Sequence, residues 1–277
     1  MQYNRAPIWA RLYCLVHYWN PCAGEISPMT TSIILRAFGS SLPQHRAVRA
    51  LIMEEYQRAF PQCALRMVLA SRRVREAEGL ADMNTVCQEL KSLGTERVVV
   101  QHLLLLAGQM RAEAEGETLA VPLQHAAPLL ADAADIQWLA AQIHLQCREG
   151  CPNLVVVHGN TTNPQYNHTH LQLQEILVRS NAAIRFASLE GEPGPGPMHA
   201  IRPAAQAAGC AHIIPVFLFP GGHVQEDLLG SQADSWASQL GVPCTASPTL
   251  LEQEAVRARF IARTRQALAA EADVSGS

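Results

Sequence analysis

The sequence has no run of about 18 consecutive apolar residues, which is the length that a helix needs to cross a bilayer. It has no basic face either, because its net charge of -3 comes from interspersed acids and bases. None of its eight cysteines shows the CxxC spacing of zinc or thioredoxin-like sites. We therefore expect no membrane or nucleic-acid partner, and we interpret the cysteines as buried free thiols of a reducing cytoplasm.

Complete nucleotide-binding and hydrolase motifs are also missing. The segment AFGSS at 37–41 has the small residues that let a backbone approach an anion, but it lacks the P-loop lysine and the full glycine fingerprint. The segment VHGNT at 157–161 is not a nucleophile elbow, because no serine occupies its centre. The sequence therefore predicts no nucleotide cofactor and no serine hydrolase.

The amino-terminal residues 1–28 form an extension before the first regular element. Its short apolar patch is interrupted by Arg11, His17 and Asn20, and no small-residue cleavage site follows, which disfavours a signal peptide. Met29 stands just before the first predicted strand. We expect the extension to be poorly ordered and to arise from a start codon assigned too early.

What the chain does contain is a regular alternation of strands and helices. With 277 residues, 48% of them hydrophobic, it can form one large or two medium domains. The alternation predicts a doubly wound α/β architecture with parallel sheets. Strands are predicted at 32–37, 65–69, 97–106, 118–122, 154–157, 184–189, 212–219 and 243–246, and helices at 44–60, 71–94, 128–147, 166–179, up to 209, 231–240 and 252–270.

The two halves of the chain resemble one another. AFGSS at 37–41 corresponds to VHGNT at 157–161, and residues 97–109 correspond to 212–223, with an offset of about 115–120 residues in both cases. We therefore predict two similar lobes, residues 29–150 and 151–277, with a ligand cleft between them.

Three predicted strands of the second lobe finish on groups that can bind a cation or move a proton: His158, Glu190 and His223. The carboxyl ends of parallel strands meet at one edge of a sheet, so these groups should converge. Two imidazoles and a carboxylate suit a divalent first-row metal and leave coordination positions open for a substrate. For each histidine alone, a hydrogen-bonded core or loop residue is the competing interpretation.

Other polar residues have weaker arguments. His168 and His170 are two residues apart at a helix start, so one helix face cannot present both, and we expect surface exposure. Glu226 and Asp227 could attract cations or hydrogen-bond the imidazole of His223, and a solvated loop explains them equally well.

Four segments in order resemble one protein family: SIILRAFGSS, VVVHGNT, ASLEG and PVFLFPGGHVQEDLLGSQADSW. Together they are similar to the anaerobic-type sirohydrochlorin cobaltochelatases of the class II chelatases. The resemblance runs from about Ser32 to Leu268, and the ordered combination of the short motifs makes it specific.

This resemblance implies two similar α/β lobes and an enzyme that inserts a divalent metal into a tetrapyrrole without ATP. Carried over by motif, the metal ligands are His158, Glu190 and His223, and the partner is a sirohydrochlorin-type tetrapyrrole. Co²⁺ insertion in cobalamin synthesis is the implied activity; Fe²⁺ or Ni²⁺ insertion and a non-catalytic tetrapyrrole- or metal-binding protein remain alternatives. The enzyme would be cytoplasmic, and a homo-oligomer is compatible with the sequence.

The implied mechanism is metal capture, docking of the macrocycle and transfer of the ion as two pyrrole N–H protons leave. A neutral imidazole is a suitable proton acceptor near pH 7, which gives His158 and His223 catalytic roles. His223 is the first choice for the acceptor, because it follows two glycines on a loop that can move.

The first lobe departs from the family pattern after its third strand. Family members usually carry a histidine where this chain has Leu104. In this chain, the residues after the loop glycine are Gln109, Met110 and Arg111. This departure leaves the exact tetrapyrrole open, because the loop should face the macrocycle. As tetrapyrrole-binding residues of this lobe we predict Phe38, Gly39, Ser40, Ser41, Arg72 and Arg111, with plain surface exposure as the alternative for the two arginines.

Overall fold

A computed structural model describes residues 31–108, 111, 112, 116 and 119–270. The predicted extension at 1–28 lies outside these residues, and so do Gln109 and Met110 of the altered first-lobe loop.

Within the described residues the strands form two parallel sheets of four strands each. The first has the order β2-β1-β3-β4 and the second the order β6-β5-β7-β8, so the two lobes share one topology. The predicted pair of similar doubly wound lobes is confirmed. The strands are β1 Thr31–Ala37, β2 Ala64–Leu69, β3 Arg97–His102, β4 Leu123–His125, β5 Asn153–Val157, β6 Ile184–Ser188, β7 Ala211–Pro215 and β8 Cys244–Ala246.

Helices connect the strands and cover the sheets. They are α1 Pro43–Ala59, α2 Arg72–Glu78, α3 Met83–Ser92, α4 Ala133–His144, α5 His168–Ser180, α6 Gly196–Ala208, α7 Trp236–Leu240 and α8 Glu254–Ala269. Two short 3₁₀ turns, Pro164–Asn167 and Leu250–Glu252, and one π-helical turn, His223–Leu228, complete the described secondary structure.

The central strands are buried over almost their whole length. Every residue of β5 is buried, and in β1 only Thr31 is partly exposed. Strands that are covered on both faces show continuous apolar runs, which is why SIILRA and NLVVV are recognisable without a period of two.

The predicted helix at 71–94 is two helices in the structure. Gly79 ends α2 in the left-handed conformation, with φ 65°, and the side chain of Asp82 caps α3 by accepting the N–H of Thr85 at 2.8 Å. Both signals are local, since glycine tolerates positive φ and aspartate favours the N-cap. The helical periodicity had hidden this break.

Three predicted strands are also corrected. The third ends at His102, before the end of its predicted range of 97–106. The fourth strand begins at Leu123, after the predicted range of 118–122. The seventh ends at Pro215, four residues earlier than predicted. Beyond it, the carbonyls of Phe217 and Leu218 accept the N–H groups of residues 250 and 251, so the segment leaves the sheet for the 3₁₀ turn.

The last helix, α8, packs against the first lobe although it follows the second in sequence. The Thr264 hydroxyl bonds Gln101 Oε1 at 3.1 Å and the Tyr56 hydroxyl at 3.0 Å, and both partners belong to the first lobe. Arg257 forms an ion pair with Glu55 at 2.9 Å. The predicted ranges 29–150 and 151–277 remain a prediction, to which the structure adds that α8 contacts the first lobe.

The cysteines differ from the prediction of free thiols. Cys151 and Cys210 form a disulfide with their Cα atoms 5.6 Å apart. The bond joins the residues just before β5 and β7, two neighbouring strands, at the amino edge of the second sheet. Cys63, by contrast, is a buried thiol, as predicted.

Loss of this disulfide should destabilise the second lobe. We expect Cys210→Ser to lower the free energy of unfolding by about 2–4 kcal/mol, because the bond closes a 59-residue separation in the unfolded chain. Urea denaturation with and without reductant measures the effect. Reductant should weaken the wild type and leave the variant unchanged, while Cys244→Ser, at a thiol outside the bond, is the control. Equal stability of wild type and Cys210→Ser would contradict the prediction.

None of the helices in the described part of the chain combines the length and the hydrophobicity needed to span a lipid bilayer.

Candidate metal centre

The carboxyl edge of the second sheet brings two of the predicted ligands together. His158 is the first residue after β5, and His223 begins the π-helical turn that follows the β7 segment. Their ring centroids lie 4.8 Å apart with the planes at 78°. Phe217 lies beside both rings, at 6.4 Å from His158 and 6.5 Å from His223. The two imidazoles therefore form a pair against an apolar wall.

Gly159 explains why the turn after β5 can approach the turn after β6. Its φ is +76°, and a Cβ added there would lie 1.8 Å from the carbonyl oxygen of Glu190. The N–H of Glu190 donates to the carbonyl of His158 at 2.8 Å. Only glycine permits this contact, so the HG sequence ties the His158 turn to the Glu190 turn.

The hydrogen bonds of the two imidazoles determine their tautomers. Nδ1 of His158 lies 2.7 Å from the carbonyl oxygen of Gly159, and Nδ1 of His223 lies 2.6 Å from Oδ2 of Asp227. A carbonyl or carboxylate oxygen only accepts, so each Nδ1 carries the proton in the neutral ring. Each Nε2 then keeps its lone pair, which is the donor that a metal ion requires.

Glu190 is connected to the His158–His223 pair by the hydrogen bond from its backbone N–H to the carbonyl of His158. Its side chain is exposed, and among the described residues no three His, Cys, Asp or Glu side chains are placed to hold one ion together. Glu190 has three rotatable side-chain bonds, so its carboxylate can turn toward the imidazoles from the adjacent turn. Its role as the third ligand stays a prediction.

The turn that carries His223 has an uncommon geometry. The N–H of Leu229 bonds the carbonyl of Val224 five residues earlier, at 3.1 Å. Such π-helical turns are rare and occur frequently at functional sites. Gly221 and Gly222 precede the turn, and the side chain of His223 is half exposed, so the imidazole is accessible to a ligand.

His170 contradicts the expectation of surface exposure. His168 is exposed, but His170 is only 7% exposed, and its ring nitrogens have no hydrogen-bond partner among the described residues. Burial, followed by the charge of His158, lowers the pKa of His170 to about 4. Its spacing to Leu173 and Leu177, which share the buried face of α5, was the sequence signal for this position.

The predicted tetrapyrrole-binding residues lie on the first lobe. Phe38 is the first residue after β1, the position that His158 holds after β5, and it is 64% exposed. Gly39 has φ 102°, and Ser40 Oγ accepts the N–H of Leu42 at 3.3 Å. Ser41 is exposed.

The two predicted arginines differ in their surroundings. Arg72 is exposed and forms an ion pair with Glu76 at 2.6 Å. Arg111 is half-buried, and its Nη1 donates to the carbonyl of Ala126 at 3.4 Å. Both stay predictions as carboxylate-binding residues.

A second histidine pair, which the sequence had not suggested, lies at the edge of the first sheet. Nε2 of His102 is 2.8 Å from Nδ1 of His125, with ring centroids 5.1 Å apart. Burial, then the charges of His125, Arg36 and Arg111, lowers the pKa of His102 to about 3. These rings bond each other inside a positive environment, which disfavours a cation there.

Comparison with known proteins assigns the family. The family model described as Cobalt chelatase (CbiK) matches residues 31–269, which is most of the chain. The chain belongs to the CbiK family. The resemblance inferred from the sequence motifs and the metal-chelatase class are thus confirmed.

A curated relative of this family member is similar over most of its length. It is Sirohydrochlorin cobaltochelatase CbiKC of Nitratidesulfovibrio vulgaris (strain Hildenborough), 26% identical over 230 residues, which cover 77% of this chain and 80% of the relative.

Solved chelatase structures share the fold. SirB from Bacillus subtilis with Fe3+ superposes with a TM-score of 0.63 at 14% identity, covering 88% of this chain and 97% of SirB. CbiX, described as the terminal enzyme for biosynthesis of siroheme in denitrifying bacteria, superposes with a TM-score of 0.55 at 19% identity, covering 85% and 99%. The predicted chelatase-like fold is therefore confirmed.

Proposed function

We propose that this CbiK family member inserts Co²⁺ into sirohydrochlorin, as a step of cobalamin synthesis. The observation that carries the proposal is the His158–His223 pair, with centroids 4.8 Å apart and both Nδ1 atoms engaged as donors. Borderline cations such as Co²⁺ favour neutral imidazole ligands. The name of the curated relative supports sirohydrochlorin as the substrate.

The proposed ligands of the incoming metal are His158, Glu190 and His223. The ion binds Nε2 of the two imidazoles and the carboxylate, and then passes to the four pyrrole nitrogens as two pyrrole protons leave. The charge balances, since one divalent cation replaces two protons. His223, accessible on its glycine-preceded turn, accepts one proton after its Nε2 has released the metal, and His158 is the second catalytic imidazole.

The first lobe is proposed to hold the macrocycle in a cleft between the lobes. Phe38 offers an exposed aromatic face at the position where the second lobe has His158, and such a face suits stacking on a flat ring system. Gly39, Ser40 and Ser41 offer backbone and hydroxyl donors. Arg72 and Arg111 are the proposed partners of ring carboxylates.

We also propose that the enzyme works in the cytoplasm, without a nucleotide cofactor and without nucleic-acid or membrane partners. The interspersed charge and the short apolar runs of the sequence support this. Self-association into a homo-oligomer is compatible with it.

The insertion assay tests the function directly. Purified protein, sirohydrochlorin and Co²⁺ without ATP should convert the tetrapyrrole absorption spectrum to that of the cobalt complex, faster than the same mixture without protein. Fe²⁺ and Ni²⁺ are run in parallel, with chelator as the blank. Binding without spectral conversion contradicts the enzyme proposal, and conversion with Fe²⁺ or Ni²⁺ but not with Co²⁺ overturns the choice of metal.

A further inference from the structure

The imidazole of His223 is held by one carboxylate. Oδ2 of Asp227 lies 2.6 Å from Nδ1 of His223, four residues earlier on the same turn. This is the short distance of a charge-assisted bond, which is stronger than a bond between neutral groups. Both side chains are about half exposed, at 52% and 51%, so packing alone does not immobilise the ring.

Glu226 is the neighbouring acid on the same turn, and it provides a comparison. It is exposed like Asp227 and carries the same charge, but it forms no hydrogen bond with the imidazole of His223 among the described contacts. The geometry of the π-helical turn thus distinguishes two acids that the sequence presents as equivalent.

The bond has two consequences for a metal ligand. It holds the proton on Nδ1, which leaves the lone pair on Nε2, and it restricts the rotation of an exposed ring. A carboxylate behind a ligating histidine also raises the basicity of the opposite nitrogen. His158 has the same tautomer but is held by the neutral carbonyl of Gly159, so only His223 has the charged partner.

We propose that Asp227 is a positioning residue of the metal centre, which holds His223 in the tautomer and orientation that bind a divalent cation. The inference rests on the proposed function in one respect, namely that His223 is a metal ligand. Asp227 itself acts through the imidazole and does not contact the ion.

The first measurement is calorimetric titration of the protein with Co²⁺ alone. Asp227→Ala should weaken Co²⁺ binding by about 10- to 100-fold, the range found when the hydrogen-bond partner of a ligating histidine is removed. Asp227→Asn should lose less, because its amide oxygen still accepts the Nδ1 proton. Glu226→Gln, which removes one charge from the same turn, should bind Co²⁺ as the wild type does. Both positions are exposed or half exposed, so these three variants should fold.

The second measurement reads the tautomer itself. In protein labelled with ¹⁵N-histidine, the His223 ring, assigned with His223→Gln, should show a protonated Nδ1 in the wild type and in Glu226→Gln. Asp227→Ala should lose this fixed tautomer. Neither a loss of stability nor the loss of one negative charge on the turn would by itself change the tautomer of the His223 ring.

Two results would overturn the inference. One is wild-type Co²⁺ affinity together with an unchanged His223 tautomer in Asp227→Ala. The other is an equal loss of affinity in Glu226→Gln and Asp227→Ala, which would make the effect one of charge alone. If the proposed function itself is wrong and His223 is not a metal ligand, a different result is expected. In that case His223→Ala would bind Co²⁺ with wild-type affinity.

Discussion

His223→Ala should abolish metal insertion, with a fall in rate of more than about 100-fold. Loss of a ligand removes more than loss of its hydrogen-bond partner, which already costs 10–100-fold in comparable metal sites. The side chain is half exposed and belongs to a turn, so the fold should remain intact. The spectral insertion assay measures the rate, and circular dichroism with thermal unfolding verifies the fold.

His168→Ala is the matched control for this experiment. His168 is an exposed histidine at the start of α5, in the same lobe. It should insert cobalt at the wild-type rate, which separates a ligand from a generic surface histidine. A His223→Ala protein with wild-type insertion rates would remove His223 from the site.

Asp135→Ala should be the most destabilising of the substitutions proposed for this protein, at about 3–5 kcal/mol. The carboxylate is 1% exposed and forms ion pairs with Arg259 and Arg263 of α8, and it also accepts the N–H of Ala131 at 2.7 Å. Removing one member of a buried ion cluster leaves charge uncompensated, which carries a cost of this size. Urea denaturation measures it.

The control lies in the same capping box at the start of α4. Asp132→Ala removes an exposed N-cap whose side chain accepts the N–H of Asp135 at 2.9 Å. It should cost only about 1 kcal/mol. Equal losses in the two variants would contradict the buried cluster as the source of stability.

The stability gap between wild type and Asp135→Ala should depend on pH in a defined direction. Burial alone would raise the pKa of Asp135, but Arg259, the N–H of Ala131 and Arg263 outweigh it and hold the pKa below its ordinary value. A folded-state pKa below the unfolded one stabilises the protein above the unfolded value of about 3.9. The gap should therefore be complete at pH 7 and shrink as the pH falls below about 4.

The order of strands and helices could be predicted from the sequence, and so could the ends of β5 and β6, beside which His158 and Glu190 lie. The end of β7 was predicted wrongly, since His223 lies on the π-helical turn beyond it. Runs such as SIILRA and NLVVV are apolar because both faces of a central parallel strand are buried, and this signal is local. The internal repeat could also be recognised from local signals, because AFGSS and VHGNT are short segments that each follow the first strand of a lobe. Where local signals compete, as at Gly79 and Asp82, periodicity alone misplaced an element boundary.

Within the candidate site, the tertiary structure separated residues that the sequence left equivalent. His168 and His170 differ only in which helix face they occupy, and packing buries one of them. Asp227 and Glu226 differ in their position on the π-helical turn, and only Asp227 bonds the imidazole of His223. The sequence alone does not predict which of the two acids makes this bond.

By itself the sequence determined the fold class and the internal repeat, because the apolar runs and turn segments that show them are encoded in near neighbours along the chain. Only the tertiary structure decided the Cys151–Cys210 bond and the packing of α8 on the first lobe. The partners in these contacts are 59 and 163 residues apart. The physical reason is that long-range pairing depends on how the sheets twist and pack, to which all strands contribute, and not on the spacing of the two residues that meet.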